Sequence, residues 1–308
     1  MSDSSPGALR SSTNPRVLKG VLYAAIGLLL FACMDSVTKY LTHHYNVPFV
    51  VAIRYLVHFG LMVIILAPRG SAPLLYANRR GLVIVRALAL VVSSLSVGMA
   101  LHRMPQADTT AITFLAPILV ALFAFPVLGE RIGPLGWVSA FMGFCGVLLI
   151  ARPGSGLDGV GIFFALLAAV ANATYQLLSR LLATTEKAIS MLFYTALAGS
   201  LVFGLALPWT WENDVPSHLE LVLFFSMGAL GGLGHYFFTQ AYRFAPTSVL
   251  GPIVYLQLLW AAILGWLIFG STPDNLSLLG MTVIAASGLL IALKSRFKRA
   301  EAENKATA

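Results

Sequence analysis

Phe244-Ala245-Pro246-Thr247-Ser248-Val249-Leu250 opens a stretch that runs on to Gly270-Ser271-Thr272 without one Asp, Glu, Lys or Arg. An uncharged run of that length reaches across a bilayer, which needs roughly 20 apolar residues. Ile132 to Ala151 is a second such run. Of the 308 residues, 58% are hydrophobic and 10% charged, against about a quarter charged in a typical soluble domain. A water-soluble chain could not cover so much apolar surface, so the sequence predicts an all-α integral membrane protein.

Working outward from those runs, the punctuation predicts ten transmembrane helices, near 18–42, 48–67, 81–102, 107–128, 134–151, 158–182, 189–208, 218–243, 246–269 and 276–294. Connectors are as short as Arg103 to Gln106, so successive spans run antiparallel. No cleavable signal peptide is read, and the first span stays as a helix. The formal charge of +8 would suggest nucleic acid in a soluble protein. The basic residues lie in connectors and at the C-terminus, however, not in a stripe with aromatics, which argues against nucleic acid and for lipid headgroups. With both termini placed in the cytoplasm, only Lys39, Arg54, Arg103 and Arg152 of the 20 basic residues fall toward the outside, the sign the positive-inside rule requires. Cys33 and Cys145 both sit within apolar runs, and no structural disulfide is expected.

The chain repeats itself. Ala100-Leu101-His102-Arg103-Met104-Pro105 lines up with Ala241-Tyr242-Arg243-Phe244-Ala245-Pro246, and the same shift brings Gly129 onto Gly270. The expected organisation is a cytoplasmic tail 1–17, a five-helix repeat 18–151, a second repeat 158–294 and a basic cytoplasmic tail 295–308. Five is odd, so the halves are inverted relative to each other. Two similar inverted units can present a central site to one side and then the other, which is a transporter arrangement.

The two five-helix repeats, the segment from Pro105 that ends in Leu128-Gly129-Glu130-Arg131, and its partner Ala245 to Gly270 resemble the EamA family of the drug/metabolite transporter superfamily. The resemblance spans about Val17 to Lys294. It implies helices around a central cavity, the fifth and tenth packed outside it, and export of small metabolites such as amino acids, including aromatic and apolar ones. The second half departs from the pattern with Ser271-Thr272 where the first has Glu130-Arg131.

Ionisable side chains in hydrocarbon are expensive and usually face a cavity or a partner. Asp35 and Lys39 stand four residues apart on the first span, acid first, the favourable order for a pair; Arg54 and His58 repeat the spacing on the second. Asp35 and Arg54 lie about 10 Å deep, counting 1.5 Å per residue. Two readings remain open: an ion network that fixes two helices, or counter-charges for a substrate's carboxylate and amine, with Asp35 able to carry a proton. On the sixth span Asn172, Tyr175, Gln176 and Ser179 form an uncharged hydrogen-bonding face. Ser94 and His235 with Tyr236 occupy matching places on spans three and eight. Phe114, Tyr255 and Trp260 lie on spans four and nine, which the resemblance places around the cavity. Pro117 and Pro126 should bend span four and Pro252 span nine, as hinges or fixed kinks.

The expected function is therefore a secondary transporter in a bacterial inner membrane, working by alternating access on amino acids or similar metabolites, with protons as a candidate co-substrate. A ten-helix bundle can act as a monomer. No Gly-rich Lys-Ser/Thr loop is present for ATP, and no cofactor or metal is expected. The alternatives are an integral membrane transferase, for which His102 and Asp108 are the nearest chemical candidates, and a scaffold or receptor. His102 and Asp108 flank a connector with no further partners for such chemistry, and the connectors are too short to form a docking surface.

Overall fold

The structure is a computed structural model that describes residues 15–66, 76–128, 134–152, 156–182, 185–211, 216–245, 250, 253–287 and 289–290. Glu130, Arg131, Pro252, the side chain of Pro126 and most of both tails lie outside the described residues. Every regular element among them is helical. In chain order these are α1 (Pro15–Thr42), α2 (Val47–Leu66), α3 (Arg80–Arg103), α4 (Gln106–Thr113), α5 (Ala116–Leu128), α6 (Pro134–Ile150), α7 (Gly159–Leu182), α8 (Ala188–Thr210), α9 (His218–Phe244), α10 (Leu256–Phe269) and α11 (Asn275–Ser287). Six of them, α1, α2, α3, α7, α8 and α9, are long and apolar enough to cross a membrane.

Local chemistry sets the ends. Ser217 opens α9 with a reciprocal cap: its Oγ accepts from the Glu220 N–H at 3.3 Å while Glu220 Oε2 accepts from the Ser217 N–H at 2.8 Å. Gly270 closes α10 in the left-handed region, φ 64°, where a glycine pays no Cβ penalty. The internal repeat is visible in how α3 and α9 stop. Met104 donates its N–H to Ala100 O at 2.8 Å and Ala245 to Ala241 O at 3.0 Å. Both are extended, as residues preceding Pro105 and Pro246 should be.

Span four departs from expectation. It is broken at Phe114-Leu115 into α4 and α5. Pro117 has no N–H to give the Thr113 carbonyl, and the chain tightens instead, with Leu115 N–H bonded to Ile112 O and Ile118 N–H to Leu115 O, both at 3.0 Å. The ninth span, expected from 246, is described as a regular helix only from Leu256, after a turn at Val254-Tyr255. There Gln257 N–H reaches Val254 O and Leu258 N–H reaches Tyr255 O, both at 3.1 Å. The two breaks occupy matching places in the repeat.

Helices pack in corresponding pairs: α1 on α9 and α3 on α7, α2 on α9 and α3 on α8, with α2 against α8 between them. At one end of the bundle, where α1 begins, Val83, Leu182 and Met191 pack α3, α7 and α8 together. We call this the near end. At the far end, where α1 finishes, Leu41, Tyr45, Phe49, Phe224 and Met227 pack α1, α2 and α9. The outside is apolar: Trp137, Phe141, Phe144 and Leu148 stand in a stripe on α6, Phe141 being 69% exposed, and Trp209 on α8 is 84% exposed. Water would not tolerate such continuous faces; lipid does. Where α6 meets α11 the backbones touch, since a Cβ on Gly146 would stand 2.8 Å from Gly280 O.

Candidate functional site

Asp35 and Arg54 do not join Lys39 in an ion network. The ion pairs among the described residues are Arg103–Asp158 at 3.1 Å and Arg152–Asp274 at 2.5 Å, both at the far-end rim. Lys39 instead turns to the end of α3, where its Nζ donates to Leu101 O at 2.8 Å and Met104 O at 2.7 Å. Those carbonyls lack helical partners, and a cation at a helix C-terminus is favoured by the dipole as well. Lys39 is buried there beside the Phe269 ring.

That leaves Asp35 with a neutral partner, the Gln257 side chain, whose Nε2 donates to Oδ2 at 3.5 Å. Gln257 stands two residues past the break at Tyr255, so the interruption sets the position of this contact. Arg54, one helix over, rests against the Tyr55 ring at 5.1 Å. Its charge acts on Asp35 through space without contact. One turn further along α2, the His58 ring lies nearly parallel to that of His235 on α9, with centroids 6.5 Å apart. His235 is met edge-on by Phe31 at 4.8 Å. Asp35, Arg54, His58 and His235 thus come near one another across α1, α2 and α9, each partly buried. Tyr236 is not part of this group: one residue along a helix turns the side chain by about 100°, and Tyr236 is 57% exposed on the outer surface.

The polar face of α7 is organised by Arg86, which the charge count over the sequence places only among the basic residues of the inner side, at the start of the third span. Arg86 lies inside α3 and is 4% exposed. Its Nε donates to Ser179 Oγ at 2.6 Å, Nη1 to Met191 O and Thr195 Oγ1 at 3.1 Å each, and Nη2 to Tyr175 OH at 2.8 Å. The guanidinium also covers the Tyr175 ring at 4.3 Å. The sequence offered a partial signal, since Arg86 stands in the apolar run Leu82 to Leu90, a poor setting for a loop charge; its partners on α7 and α8 carried no such mark. Beside it Gln176 and Asn172 bond only to each other, at 3.3 Å. Ser94 binds the Tyr55 hydroxyl at 2.9 Å, joining the Arg86 region to the Arg54 region.

Phe114 and Tyr255, the residues at the two helix breaks, meet ring to ring at 5.4 Å. Trp260, one turn beyond Gln257, has a buried indole N–H without a hydrogen-bond partner, as does one oxygen of Asp108. Gln106, missed in the sequence, is fully buried and ties α4 to α1 by accepting from Ser36 Oγ at 2.8 Å and donating to Ala32 O at 2.9 Å.

At the far end a surface hollow of about 370 Å³ is lined by Thr42, His43, His44, Met99, His102 and Arg103 among others. His102 Nδ1 lies 2.5 Å from Thr42 O. Burial, helped by Lys39 and His102, holds His43 below the ordinary imidazole range. Asp158 is kept below the usual carboxylate range, mainly by the hydrogen bond from Arg103. For Asp274 the Ser277 N–H does most, followed by Arg152. No set of three or more His, Cys, Asp or Glu among the described residues has a metal-binding arrangement, and Cys33 and Cys145 are free thiols.

A multi-helix membrane bundle with charged side chains turned inward is a membrane-transport architecture. The chain belongs to the EamA-like transporter family, whose pattern matches it twice, over residues 18–152 and 159–293. It is similar to an S-adenosylmethionine uptake transporter of Rickettsia prowazekii, 26% identical over 89% of this chain and 92% of that protein. A riboflavin transporter of Rhizobium johnstonii is 28% identical over 90% of this chain and 91% of that protein. A pseudopaline exporter of Pseudomonas aeruginosa is 26% identical over 87% and 94%. A crystal structure with 18% identity superposes with a TM-score of 0.64 over 92% of this chain and 98% of that one, a likeness of fold. These relatives handle different compounds, so amino-acid export does not follow from kinship.

Proposed function

We propose that this protein is a secondary carrier in a bacterial inner membrane, with ten spans arranged as two inverted five-helix halves and both termini in the cytoplasm. Its substrates are small metabolites bearing an amino-acid head group, moved by alternating access. One observation carries this reading: Asp35 and Arg54, opposite charges from adjacent helices, lie close enough to act on each other and form no ion pair with each other. Two desolvated charges held apart are costly unless something completes them. A ligand with an ammonium and a carboxylate does so, the ammonium going to Asp35 and the carboxylate to Arg54. Phe31, His58 and His235 supply flat surfaces beside that position.

The test is flux into vesicles containing the purified full chain, using labelled amino acids alongside riboflavin and S-adenosylmethionine. Saturable flux of a compound with an amino-acid head, lost in Asp35→Asn and in Arg54→Gln while both variants remain folded, is the expected result. Absence of saturable flux for every compound would remove the carrier reading.

A further inference from the structure

Resting on the carrier reading above, we infer that the contact of α1 and α2 with α3 is the far gate of the carrier, shut in this structure. It opens by separation of two units, α1–α2–α9 and α3–α7–α8. Each unit is packed around its own apolar cluster, Leu41, Tyr45, Phe49 and Phe224 in one and Val83, Leu182 and Met191 in the other. The internal repeat carries α1 onto α7, α2 onto α8 and α3 onto α9, so a contact inside one unit has its counterpart inside the other. Those contacts are kept. A Cβ on Gly20 of α1 would stand 2.6 Å from the Ala245 Cβ, and one on the matching Gly161 of α7 would stand 2.6 Å from Met104 Cγ.

Contacts between the units behave differently. At the far end α1 and α2 both pack on α3. Lys39 of α1 holds the carbonyls of Leu101 and Met104 that end α3, and His102 Nδ1 meets Thr42 O at 2.5 Å. A Cβ on Gly98 of α3 would stand 2.8 Å from Val47 Cγ1 of α2. The counterparts would be α7 and α8 on the near end of α9, and among the described residues neither pair packs to a comparable extent. A central site is reached only through an open end, so a seam that the plan provides twice and the structure makes once is the seam that moves. The far-end hollow, with Thr42 and Val47 on one side and Met99, His102 and Arg103 on the other, is then the mouth outside the shut seam, and Asp35 and Arg54 are reached from the near end. Helices α2 and α8, which the repeat exchanges, pack on each other and form the hinge line between the units.

The experiment locks one seam at a time with a disulfide, in the full chain carrying Cys33→Ala and Cys145→Ala and reconstituted in vesicles. Flux is followed with whichever of the labelled amino acids, riboflavin or S-adenosylmethionine saturates in that parent. Val47→Cys with Gly98→Cys bridges the two units across the gate. Arg103→Cys with Gly161→Cys bridges α3 and α7 inside one unit, a Cβ on Gly161 standing 3.2 Å from the Arg103 Cβ. Both pairs are near enough for a disulfide. Oxidation of the gate pair is expected to lower flux by about tenfold or more and reduction to restore it, whereas oxidation of the second pair changes flux less than about twofold. Undiminished flux with the gate pair fully bridged overturns the gate, and so does an equal loss from both bridges. Failure of the gate pair to bridge in folded protein overturns it too, since α2 and α3 would not meet there. No saturable flux in the parent overturns the carrier reading itself. Should Gly98→Cys prevent folding, Thr42→Cys with Met99→Cys, joined by a short bis-thiol reagent, sets the same lock with the same outcomes.

Discussion

The near-end cluster of α3, α7 and α8 and the far-end cluster of α9, α1 and α2 are the same construction built with different chemistry. The shift that carries Ala100 onto Ala241 also carries Arg86 onto Met227, Thr38 onto Ser179, Tyr45 onto Glu186 and Arg79 onto Glu220. In the near cluster Arg86 bonds to Ser179, and Glu186 accepts from the N–H groups of Asn78 and Arg79 at 2.9 Å, capping the start of α3. In the far cluster the matching contacts are Thr38 Oγ1 to the Met227 sulfur at 3.4 Å and Tyr45 OH to Glu220 at 3.0 Å. Hydrogen bonds to charged groups contribute about 1.5–3 kcal/mol each, neutral ones about 1. The near cluster is therefore tied through the Arg86 charge where its far counterpart has a neutral contact to sulfur, although the backbone plan is shared; the far end draws its charged contacts instead from Lys39 and the rim pairs Arg103–Asp158 and Arg152–Asp274.

Erasing that difference should have the largest effect. Arg86→Met copies the far-end residue into the near end, removes four hydrogen bonds and takes the Tyr175 hydroxyl's partner away, while Ser179 and Thr195 keep their bonds to backbone carbonyls. The expected loss is about 3 kcal/mol, read as thermal unfolding of the protein in detergent. Lys39→Met comes next: it frees the carbonyls of Leu101 and Met104 and should cost about 2 kcal/mol without altering which compounds are transported. A change in that preference would place Lys39 at the substrate. Glu186→Gln weakens only the α3 cap, by about 1 kcal/mol, and should raise the labelling rate of a cysteine introduced at Asn78. The matching far-end change, Thr38→Val, should cost less than about 0.5 kcal/mol; an equal or larger loss than for Glu186→Gln would undo the comparison.

The smallest effect concerns the rim pairs. Asp158 and Asp274 are held below their ordinary values in the folded chain, so they add stability above the ordinary carboxylate range, and that contribution is lost as pH falls through their folded values. Melting temperature should therefore be flat near neutrality and decline slightly only below about pH 4. Asp158→Asn with Asp274→Asn should flatten the decline.

Most of this fold could be read from the sequence because lipid imposes a plain rule. Uncharged runs became helices, and among the described residues seven of the expected spans were placed within a few residues at both ends, as with 188–210 against 189–208. What could not be read depended on partners distant in the chain. Asp35 and Lys39 have ideal spacing for a pair on an isolated helix, but the carbonyls ending α3 offered Lys39 two bonds that the helix alone could not show. Arg86 looked like one more basic residue near a connector until α7 and α8 surrounded it. The break at Phe114 had a local cause in Pro117. Its counterpart at Tyr255 has Leu258 where that proline would stand, so the matching interruption could not be foreseen on that ground. Of the expected site residues, Phe114 with Tyr255 and His58 with His235 met one another, whereas Tyr236 was lost to a single step of helical phase.

The contact of Gly146 with Gly280 bears on how such a molecule could move. A methyl group added at Gly280 would come within 2.6 Å of Gly146 O, so α6 and α11 interlock too closely to slide past each other. The seam is one of several that join the first repeat to the second, beside those of α1 with α9 and α3 with α7. It differs from them in how closely backbone stands to backbone, so any larger residue at either glycine would have to push two backbones apart.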